Sequence, residues 1–565
     1  MSVKAKITLL LLLFVSAPVS GQLAPPPPPL TEPPPEQRQP PPPVPPKQQE
    51  EAYYYSTIGQ EIAQTKLLPQ VKAEVEVGRW NRFEAALVNS GKYANPYTDV
   101  TLDVACEGPD GETVEFWGFY DGNDTWRFRF MPDKVGTWRY EASFSDGSVG
   151  RKGTFECVES DVPGLIKAYN ENPIWFAYGG EKPVVIRSLH VGDRLFADAN
   201  NPVTGETWSV AQREVFLDWA REQGYNMLSV ASCLLNRDGR GRGEGWNTPD
   251  LWDAERQRPN PREYRRAERV LDDLARRHIM VYPFAGFFGR DSDFPKDRRK
   301  QDLYIRYTLA RLGAYWNLLL MVGGPEPLIK GKPYLSADDI HRLGRKIESL
   351  DVFDHLLSVH NPTGDDAFKE ADWTSYGVLQ GPKTVRRRRL SRGLLDNHHQ
   401  ARPLYAQETL WPGNIHHPKY SLEDVRKNAY VMMMSAAAIN FGDMSGNSSS
   451  GFSGTLDLDQ KVQRRHDAIK QVWDFFEDIP FHRMKPRADL VDRGYCLARE
   501  GKQYLVYLER SHSVNLKLTG GPYKTTWINA QDTLDQRDAG LTDSGQNLTP
   551  PRGADDWLLH LTRAD

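Results

Sequence analysis

The stretch VVIRSLH, residues 184–190, sets the pattern from which the fold is predicted. It is a short, mostly apolar run that ends in a polar side chain, as expected for a strand buried on both faces of a sheet. Seven similar runs follow, at intervals that mostly leave room for a helix: NMLSV (226–230), IMVYP (279–283), LLLMV (318–322), LLSVH (356–360), TSYGV (374–378), LYAQ (404–407) and AINF (438–441).

Helix signals lie between these runs. A Ser followed three residues later by an acid or amide is typical of a helix start, and the pattern occurs at Ser209, Ser336 and Ser421. An apolar stripe at helical spacing is formed by Tyr264, Ala267, Leu271 and Leu274. Eight strand–helix units within residues 161–482 predict an α/β fold, a (β/α)8 TIM barrel, which typically spans roughly 250 residues. An open doubly wound sheet is the alternative, but it needs no eightfold repeat, and the chain has no GxGxxG motif.

Short alternating strands flank this middle segment. In residues 71–160, Val100, Leu102 and Val104 alternate with less apolar residues, and turn signals such as Pro109-Asp110-Gly111 recur at short intervals. This pattern predicts an N-terminal immunoglobulin-like β-sandwich. In residues 483–565, the runs YLVYL (504–508) and VNLKL (514–518) predict a C-terminal β-sandwich.

The first 70 residues indicate export. Lys4 and Lys6 precede an apolar run at residues 7–17 and small residues at 19–21, which is the layout of a signal peptide over residues 1–21. Residues 22–70 read as a proline-rich linker, since residues 24–47 hold 14 of the 41 prolines and such a run favours a solvated, extended spacer. A secreted or periplasmic location is therefore expected.

Composition excludes several classes of protein. The 71 basic and 75 acidic side chains of the 565 residues give a net charge of −4, which disfavours nucleic-acid binding. Past the signal, no apolar run is long enough to span a membrane. No HExxH, GxSxG or phosphate-binding loop is present, so no cofactor is expected. The oligomeric state stays open.

No metal site is expected either. The four cysteines, 106, 157, 233 and 496, include no CxxC pair. Cys106 and Cys157 lie on strand-like runs of one sandwich, where export would permit a disulfide; free buried thiols are the alternative. Two His pairs, at residues 398–399 and 416–417, are interpreted as surface loops.

In a barrel, function resides where the strands end at their carboxyl side. The fourth run leads to Glu326 and the seventh to Glu408, so both carboxylates can face one cleft. Two facing carboxyl groups are what glycosidic bond cleavage requires, about 5–5.5 Å apart in the retaining mechanism. The alternative is that each Glu forms a salt bridge to a loop arginine.

Further side chains near the strand ends are candidates for substrate binding. Polar candidates for hydrogen bonds to sugar hydroxyls or to a carboxylate are Arg187, His190, Asp193, His360 and Asn361. Trp373 and Trp411 are candidates for stacking on a sugar face. For the histidines and tryptophans, a structural place in the core is the alternative.

Several motifs resemble known families. GFYDG (118–122), RFMPD (129–133) and GTW (136–138) resemble the sandwich domain that precedes many bacterial glycosidase barrels. LHVGD (189–193), VGG (322–324) and PLYAQE (403–408) resemble apiosidase-like glycoside hydrolases of clan A. The tail, with YCLA (495–498) and WIN (527–529), resembles the sandwich domain, named for collagen binding, that follows such barrels; we take that name as a label and infer no collagen binding from it.

The resemblance implies an acid/base carboxylate after the fourth strand, Glu326, and a nucleophile after the seventh, Glu408. Pro325 precedes Glu326 where clan members commonly carry Asn. The sequence therefore predicts an exported, retaining glycoside hydrolase acting on a poly- or oligosaccharide. One alternative is a catalytically inactive carbohydrate- or matrix-binding protein. Another is a metal-dependent hydrolase, which requires His190, His360 and an acid to converge.

Overall fold

The computed structural model describes residues 75–192, 195–196, 210–230, 252–253, 257–284, 286–288, 294–324, 327–328, 334–361, 366–399, 401–444 and 460–564. The predicted signal peptide and linker, Ser209, Cys233, Asp193 and Glu326 lie outside these residues. Among the described residues, no helix combines the length and the apolar character needed to cross a bilayer.

The N-terminal segment forms two antiparallel-rich sheets around one core. Its strands are β1 (Val75–Gly78), β2 (Phe83–Val88), β3 (Leu102–Glu107), β4 (Thr113–Trp117), β5 (Phe119–Gly122), β6 (Thr125–Phe130), β7 (Gly136–Phe144) and β8 (Arg151–Val158). One sheet has the order β1-β8-β7-β3-β4 and the other β2-β6-β5. The sheets meet through aromatic side chains, as in the stack of Phe83 on Phe155, whose ring centroids are 4.2 Å apart.

Of the two alternatives for Cys106 and Cys157, the structure has the free thiols and not the disulfide, since both cysteines are unpaired and buried. Cys106 on β3 pairs with Tyr140 of β7, whereas Cys157 on β8 pairs with Gly136 of β7. The two cysteines are thus separated by an intervening strand and four positions of register. A disulfide requires Cα atoms within about 7 Å, which this arrangement does not allow.

A mixed α/β segment follows. Its strands are β9 (Ile166–Ala168), β10 (Phe176–Tyr178), β11 (Lys182–Pro183), β12 (Arg187–Gly192), β13 (Met227–Val230), β14 (Met280–Pro283), β15 (Leu320–Met321), β16 (Leu357–Ser358), β17 (Gly377–Leu379), β18 (Leu404–Leu410) and β19 (Ala437–Phe441). Its helices are α1 (Val210–Glu222), α2 (Pro261–Arg276), α3 (Arg298–Leu312), α4 (Ala337–Leu350), α5 (Arg387–Asp396), α6 (Leu422–Met434) and α7 (Gln460–Glu477).

The strands of this segment are mostly parallel, and each of the eight predicted runs contains or overlaps one of them. Six form a curled parallel sheet in the order β14-β13-β12-β19-β18-β17, while β15 and β16 pair in parallel with each other. β9, β10 and β11 form a small antiparallel sheet of their own. Because the main sheet is parallel, its strands end at one common edge.

Local sequence explains the helix positions. The predicted capping boxes at Ser336 and Ser421 are confirmed at the starts of α4 and α6, where Asp339 and Asp424 complete the reciprocal hydrogen bonds. The predicted stripe on α2 is also confirmed, since its members are wholly buried: Tyr264, Ala267, Leu271 and Leu274. Burial of such stripes on the outer face of the sheet holds the helices in place.

The inner face of the curled sheet is filled by large side chains. Tyr282 of β14 lies against Tyr405 of β18 with ring centroids 4.7 Å apart, and Tyr405 Oη lies 2.7 Å from Ser188 Oγ of β12. Phe176 of β10 reaches the same cluster through Tyr376. Because these side chains fill the interior, a substrate cleft is expected at the carboxyl edge of the sheet.

The C-terminal segment contains β20 (Lys485–Pro486), β21 (Tyr495–Arg499), β22 (Gln503–Leu508), β23 (Val514–Asn515), β24 (Tyr523–Asn529), β25 (Asp532–Thr542), β26 (Asn547–Leu548) and β27 (Trp557–Arg563), with 3-10 helices at Phe481–Arg483 and Ala488–Leu490. Six strands form an antiparallel sheet, β20-β21-β22-β27-β24-β25, and β23 pairs with β26. One face packs on α6, where Tyr430 stacks on Tyr507 at 4.9 Å. The other face covers a separate core around Trp527.

Buried charges join the N-terminal sheets to the α/β segment. Glu268 of α2 is wholly buried, and its Oε1 lies 3.0 Å from Arg129 Nη1 of β6 and 2.6 Å from Arg311 Nε of α3. Arg311 Nη1 also contacts Asp121 of β5 at 2.7 Å. The interface is therefore held by ion pairs shielded from solvent.

Candidate active site

Glu408 lies near the carboxyl end of β18, where the pairing with β19 is irregular. The register between the two strands shifts between Ala406 and Leu410, which is the effect of a β-bulge. A bulge re-aims the side chains beside it, and such irregularities are common next to active sites. The side chain of Glu408 keeps 14% of its surface exposed, so the carboxylate borders solvent from a largely buried position.

Two basic side chains contact this carboxylate. Lys383 Nζ donates a hydrogen bond to Glu408 Oε1 at 2.5 Å, and His417 Nε2 lies 3.7 Å from the same oxygen. Burial alone would raise the pKa of Glu408, but the neighbouring His417 and the charge of Lys383 outweigh it and lower the pKa to about 2. Glu408 is therefore ionised at neutral pH, as a nucleophile must be.

His190 and Trp411 form one wall beside Glu408. Their rings stack with centroids 3.9 Å apart, and both side chains are almost fully buried. Burial lowers the pKa of His190 to about 3, although the charge of Glu408 opposes this effect. His190 is thus neutral at pH 7. Its Nδ1 and the Nε1 of Trp411 are buried without a hydrogen-bond partner in the described part of the chain.

His360 is held by a chain of hydrogen bonds across the strand ends. Its Nδ1 lies 3.0 Å from the carbonyl oxygen of Phe284 and its Nε2 lies 2.8 Å from Gln380 Nε2. A carbonyl only accepts, so the proton sits on Nδ1 and Nε2 accepts from the amide. Asn361 is buried next to it and donates to Asp366 Oδ1 at 2.9 Å. Both predicted residues therefore lie at the carboxyl edge.

Two other predicted residues lie elsewhere. Arg187 begins β12 rather than ending it, and it forms ion pairs with Asp474, at 2.6 Å, and with Glu477 of α7. Its structural role is to attach α7 to the sheet, which corrects the predicted contact with substrate.

Trp373 is 1% exposed, donates to His341 Nδ1 at 3.1 Å and packs against Gly344 of α4. This placement in the core favours the packing alternative over sugar stacking. Asp193 and Glu326 lie outside the described residues, as stated above.

Lys383 and His417 are site residues that the sequence interpretation missed. Lys383 follows β17 by four residues, so the strand-end rule, applied to the sixth strand, would have pointed to it. The sequence predicts a surface loop at His417, but its side chain is wholly buried against Glu408, whereas the neighbouring His416 is exposed. The surface interpretation is also wrong for His398, whose Nε2 donates to the carbonyl oxygens of Ser435 and Ala436.

The described residues of the site do not have the arrangement of a metal centre. Among the described residues, no three His, Cys, Asp or Glu side chains are grouped so that they could hold a metal ion. Both ring nitrogens of His360 are engaged with Phe284 and Gln380. The described residues therefore lack the convergence of His190, His360 and an acid that a metal-dependent hydrolase needs.

Comparison with solved structures identifies the class of fold. A "putative glycoside hydrolase" from Bacteroides vulgatus ATCC 8482 superposes with a TM-score of 0.66 at 19% identity, covering 87% of this chain and all of the other. A family 5 glycoside hydrolase from the same organism gives a TM-score of 0.51 at 15% identity, covering 72% of this chain and 96% of the other. At such low identity these similarities establish the α/β fold alone.

Family models make the match more specific. Residues 204–448 match "Apiosidase-like, catalytic domain", and residues 76–145 match a "Domain of unknown function (DUF5060)". The resemblance to apiosidase-like glycoside hydrolases is thereby confirmed, and the match supports a glycosidase. No curated protein sequence matches this chain.

Proposed function

We propose that this protein is an exported glycoside hydrolase that cleaves a poly- or oligosaccharide by the retaining mechanism, with Glu408 as the nucleophile. The observation that carries the proposal is the state of Glu408: a mostly buried carboxylate, ionised at neutral pH, at the end of a parallel strand and beside an aromatic wall. A retaining glycosidase needs such an anion beneath the anomeric carbon. The apiosidase-like match over residues 204–448 supports the same class.

The proposed scaffold is a closed (β/α)8 barrel with β-sandwich domains before and after it. Backbone hydrogen bonds at the gaps between the sheets support closure. Val281 of β14 donates to Asn317 at 2.6 Å just before β15, and Ser375, just before β17, donates to Leu357 of β16 at 2.9 Å. Together with the pairing of β15 and β16, these contacts support the closure of the eight strands into a ring. A closed barrel gathers the strand ends into one mouth.

Glu326 is the proposed acid/base residue. Its support comes from the sequence, because it follows the fourth strand, two positions after Gly324. Gly323 and Gly324 both adopt positive φ angles, of 68° and 159°, which glycine tolerates best. The chain can therefore turn sharply at Gly323 and Gly324, just after β15. By protonating the leaving oxygen, Glu326 would supply the second carboxyl group that the retaining mechanism requires.

The first experiment screens activated aryl glycosides together with a panel of plant and algal polysaccharides. Apiosides belong in the panel, since the matched family is named for them. The expected result is hydrolysis of at least one substrate with initial release of the anomer that retains the configuration, measured by proton NMR. Release of the inverted anomer would refute the retaining mechanism while leaving a glycosidase.

The second experiment assigns the two carboxylates. Glu408→Gln is expected to abolish turnover of every substrate. Glu326→Ala is expected to spare 2,4-dinitrophenyl glycosides, whose leaving group needs no proton, and azide is expected to restore part of its activity. A Glu326→Ala variant as active as the wild type on natural substrates would remove Glu326 from the mechanism.

The alternative, a binding protein without catalysis, gives a different result. A binder would show affinity for a polysaccharide, measured by calorimetry, and neither the wild type nor Glu408→Gln would release reducing sugar. Export is tested separately by N-terminal sequencing of protein recovered outside the cytoplasm, and the proposal expects the mature chain to begin at Gln22, after the predicted signal peptide.

A further inference from the structure

Two basic side chains contact the Oε1 atom of the Glu408 carboxylate. Lys383 Nζ lies 2.5 Å from Oε1, and His417 Nε2 lies 3.7 Å from the same oxygen. In the described part of the chain, the hydrogen bond from Lys383 and the closest approach of His417 are therefore both to Oε1. We infer that Lys383 is a positioning residue: it holds Oε1, so that Oε2 is the oxygen that attacks the anomeric carbon. The inference rests on the proposed function, because it assigns a task within the retaining reaction.

Lys383 is well placed to restrain the carboxylate. The last torsion of a Glu side chain is broad and roughly two-fold, so an unrestrained carboxylate rotates easily. A short hydrogen bond between two charged groups opposes that rotation. The side chains of Lys383 and Glu408 are only 12% and 14% exposed, so solvent screens their attraction weakly.

The backbone beside Lys383 is itself anchored. Thr384 Oγ1 accepts a hydrogen bond from the Arg386 backbone N–H at 3.0 Å, next to the start of α5. The carbonyl oxygen of Thr384 accepts another from Asn428 Nδ2 of α6 at 2.9 Å. The ammonium group therefore extends from a segment attached to two helices, which is what a positioning residue requires.

The reaction balances with Lys383 protonated throughout. In the first step, Oε2 bonds to the anomeric carbon while the bond to the leaving oxygen breaks and that oxygen takes a proton from the acid/base group. Oε1 is then the carbonyl oxygen of the glycosyl ester and still accepts from Lys383. In the second step, water loses a proton to the acid/base group and attacks the same carbon. The bond to Oε2 breaks, and the returning charge of the carboxylate is stabilised by the ammonium group.

Four basic side chains bear on Glu408: Lys383, His417, His360 and His190. Burial lowers the pKa of both His190 and His417, so these two rings are uncharged at neutral pH. The neighbouring His417 and the charge of Lys383 are the leading causes of the low Glu408 pKa, so loss of the Lys383 charge removes one of them. The acid limb of the kcat/KM profile should then move to higher pH, because Glu408 must be ionised to react.

The test compares Lys383→Met and Lys383→Arg with the wild type, using the 2,4-dinitrophenyl glycoside that the screen identifies. Lys346→Met is the matched control, because Lys346 also pairs with a carboxylate, Asp302, but does so between α4 and α3. We expect Lys383→Met to lower kcat about 10- to 100-fold, to leave KM within about twofold, and to move the acid limb up by about one pH unit. Lys383→Arg should restore most of kcat and most of the original position of the acid limb. Lys346→Met should match the wild type.

Other results overturn the inference. A raised KM with unchanged kcat would make Lys383 a substrate-binding residue, and a loss of kcat with an unmoved acid limb and no rescue by Arg would make it merely structural. If Lys383→Met does not fold, as judged by circular dichroism, Lys383→Gln takes its place. A wild-type protein that hydrolyses no glycoside refutes the proposed function and this inference together, whereas an active wild type with an unaffected Lys383→Met refutes the inference alone.

Discussion

His190 and Trp411 stack with their ring centroids 3.9 Å apart and their planes inclined by 24°. His190 lies on β12 and Trp411 follows β18, the two strands that flank β19, and the two side chains meet over Gly442. A Cβ at Gly442 would lie 3.0 Å from Trp411 Cδ1 and 3.1 Å from His190 Cβ, so glycine makes room for the stack. The wall of the site thus depends on three strand ends at once.

Trp411 offers a test of how this wall binds substrate. Its buried Nε1 has no hydrogen-bond partner among the described residues, and an unpaired buried donor suits a sugar hydroxyl. Trp411→Phe keeps a ring on His190 but removes the donor, so kcat/KM should fall about tenfold, as for one lost hydrogen bond of about 1.5 kcal/mol. Trp411→Ala also removes the ring, so its kcat/KM should fall further. Steady-state kinetics measure both, and a Phe variant equal to the wild type would show that Nε1 binds no substrate.

Glu408 should make stability depend on pH. Its pKa in the folded protein is lowered from the ordinary 4.5 to about 2, so the folded state binds its proton less readily than the unfolded state. The stabilisation, about 3 kcal/mol, is therefore complete above about pH 5 and is lost as pH falls towards 2. Chemical unfolding of wild type and Glu408→Gln should show a difference at pH 7 that shrinks between pH 5 and pH 3.

Glu423→Gln is the control for this experiment. Glu423 also pairs with a lysine, Lys427, but its side chain is 58% exposed, so its substitution should change stability by less than about 1 kcal/mol. A difference between wild type and Glu408→Gln that stays constant from pH 7 to pH 3 would contradict the low pKa of Glu408.

The strands and Glu408 were predictable because both depend on local pattern. Runs of apolar residues mark buried parallel strands, and a carboxylate that follows such a run lies at the carboxyl edge of the sheet. The lengths of the strands were less predictable. The fifth run, residues 356–360, contributes only Leu357–Ser358 to a strand, since its last residues turn into the site, where His360 binds Phe284 and Gln380 instead of a neighbouring strand.

The roles of Arg187 and Trp373 were not predictable from local sequence. The partners of Arg187 lie 287 and 290 residues further along the chain, and nothing near Arg187 indicates them. Trp373 is buried because Gly344 leaves a space on α4, where an added Cβ would come within 2.2 Å of the indole. Whether a tryptophan faces a sugar or a helix depends on such distant complementarity.

The three described cysteines should be unreactive in the folded protein. Burial raises the pKa of Cys106 and Cys496 to about 12 and that of Cys157 to about 11, and the thiolate is the reactive form. Maleimide labelling followed by peptide mass spectrometry should modify these residues only after denaturation, and a reducing agent should not change the unfolding midpoint. A peptide that links Cys106 to Cys157 would contradict the strand order that separates them.

Glu268 should be a major determinant of stability. It is wholly buried between Arg129 and Arg311, and although burial alone raises its pKa, their two charges hold it well below the usual range. Glu268→Gln leaves both guanidinium groups short of their shared counter-charge, and removal of one partner from such a buried cluster costs about 3–5 kcal/mol. Because the pKa of Glu268 is lowered, its contribution is full above about pH 5 and declines only in acid. Glu141→Gln on β7 removes a partner of Lys152 whose side chain is 57% exposed, and it should cost less than about 1 kcal/mol. Urea unfolding at pH 7 measures both, and equal losses for the two variants would show that the buried cluster does not stabilise the interface.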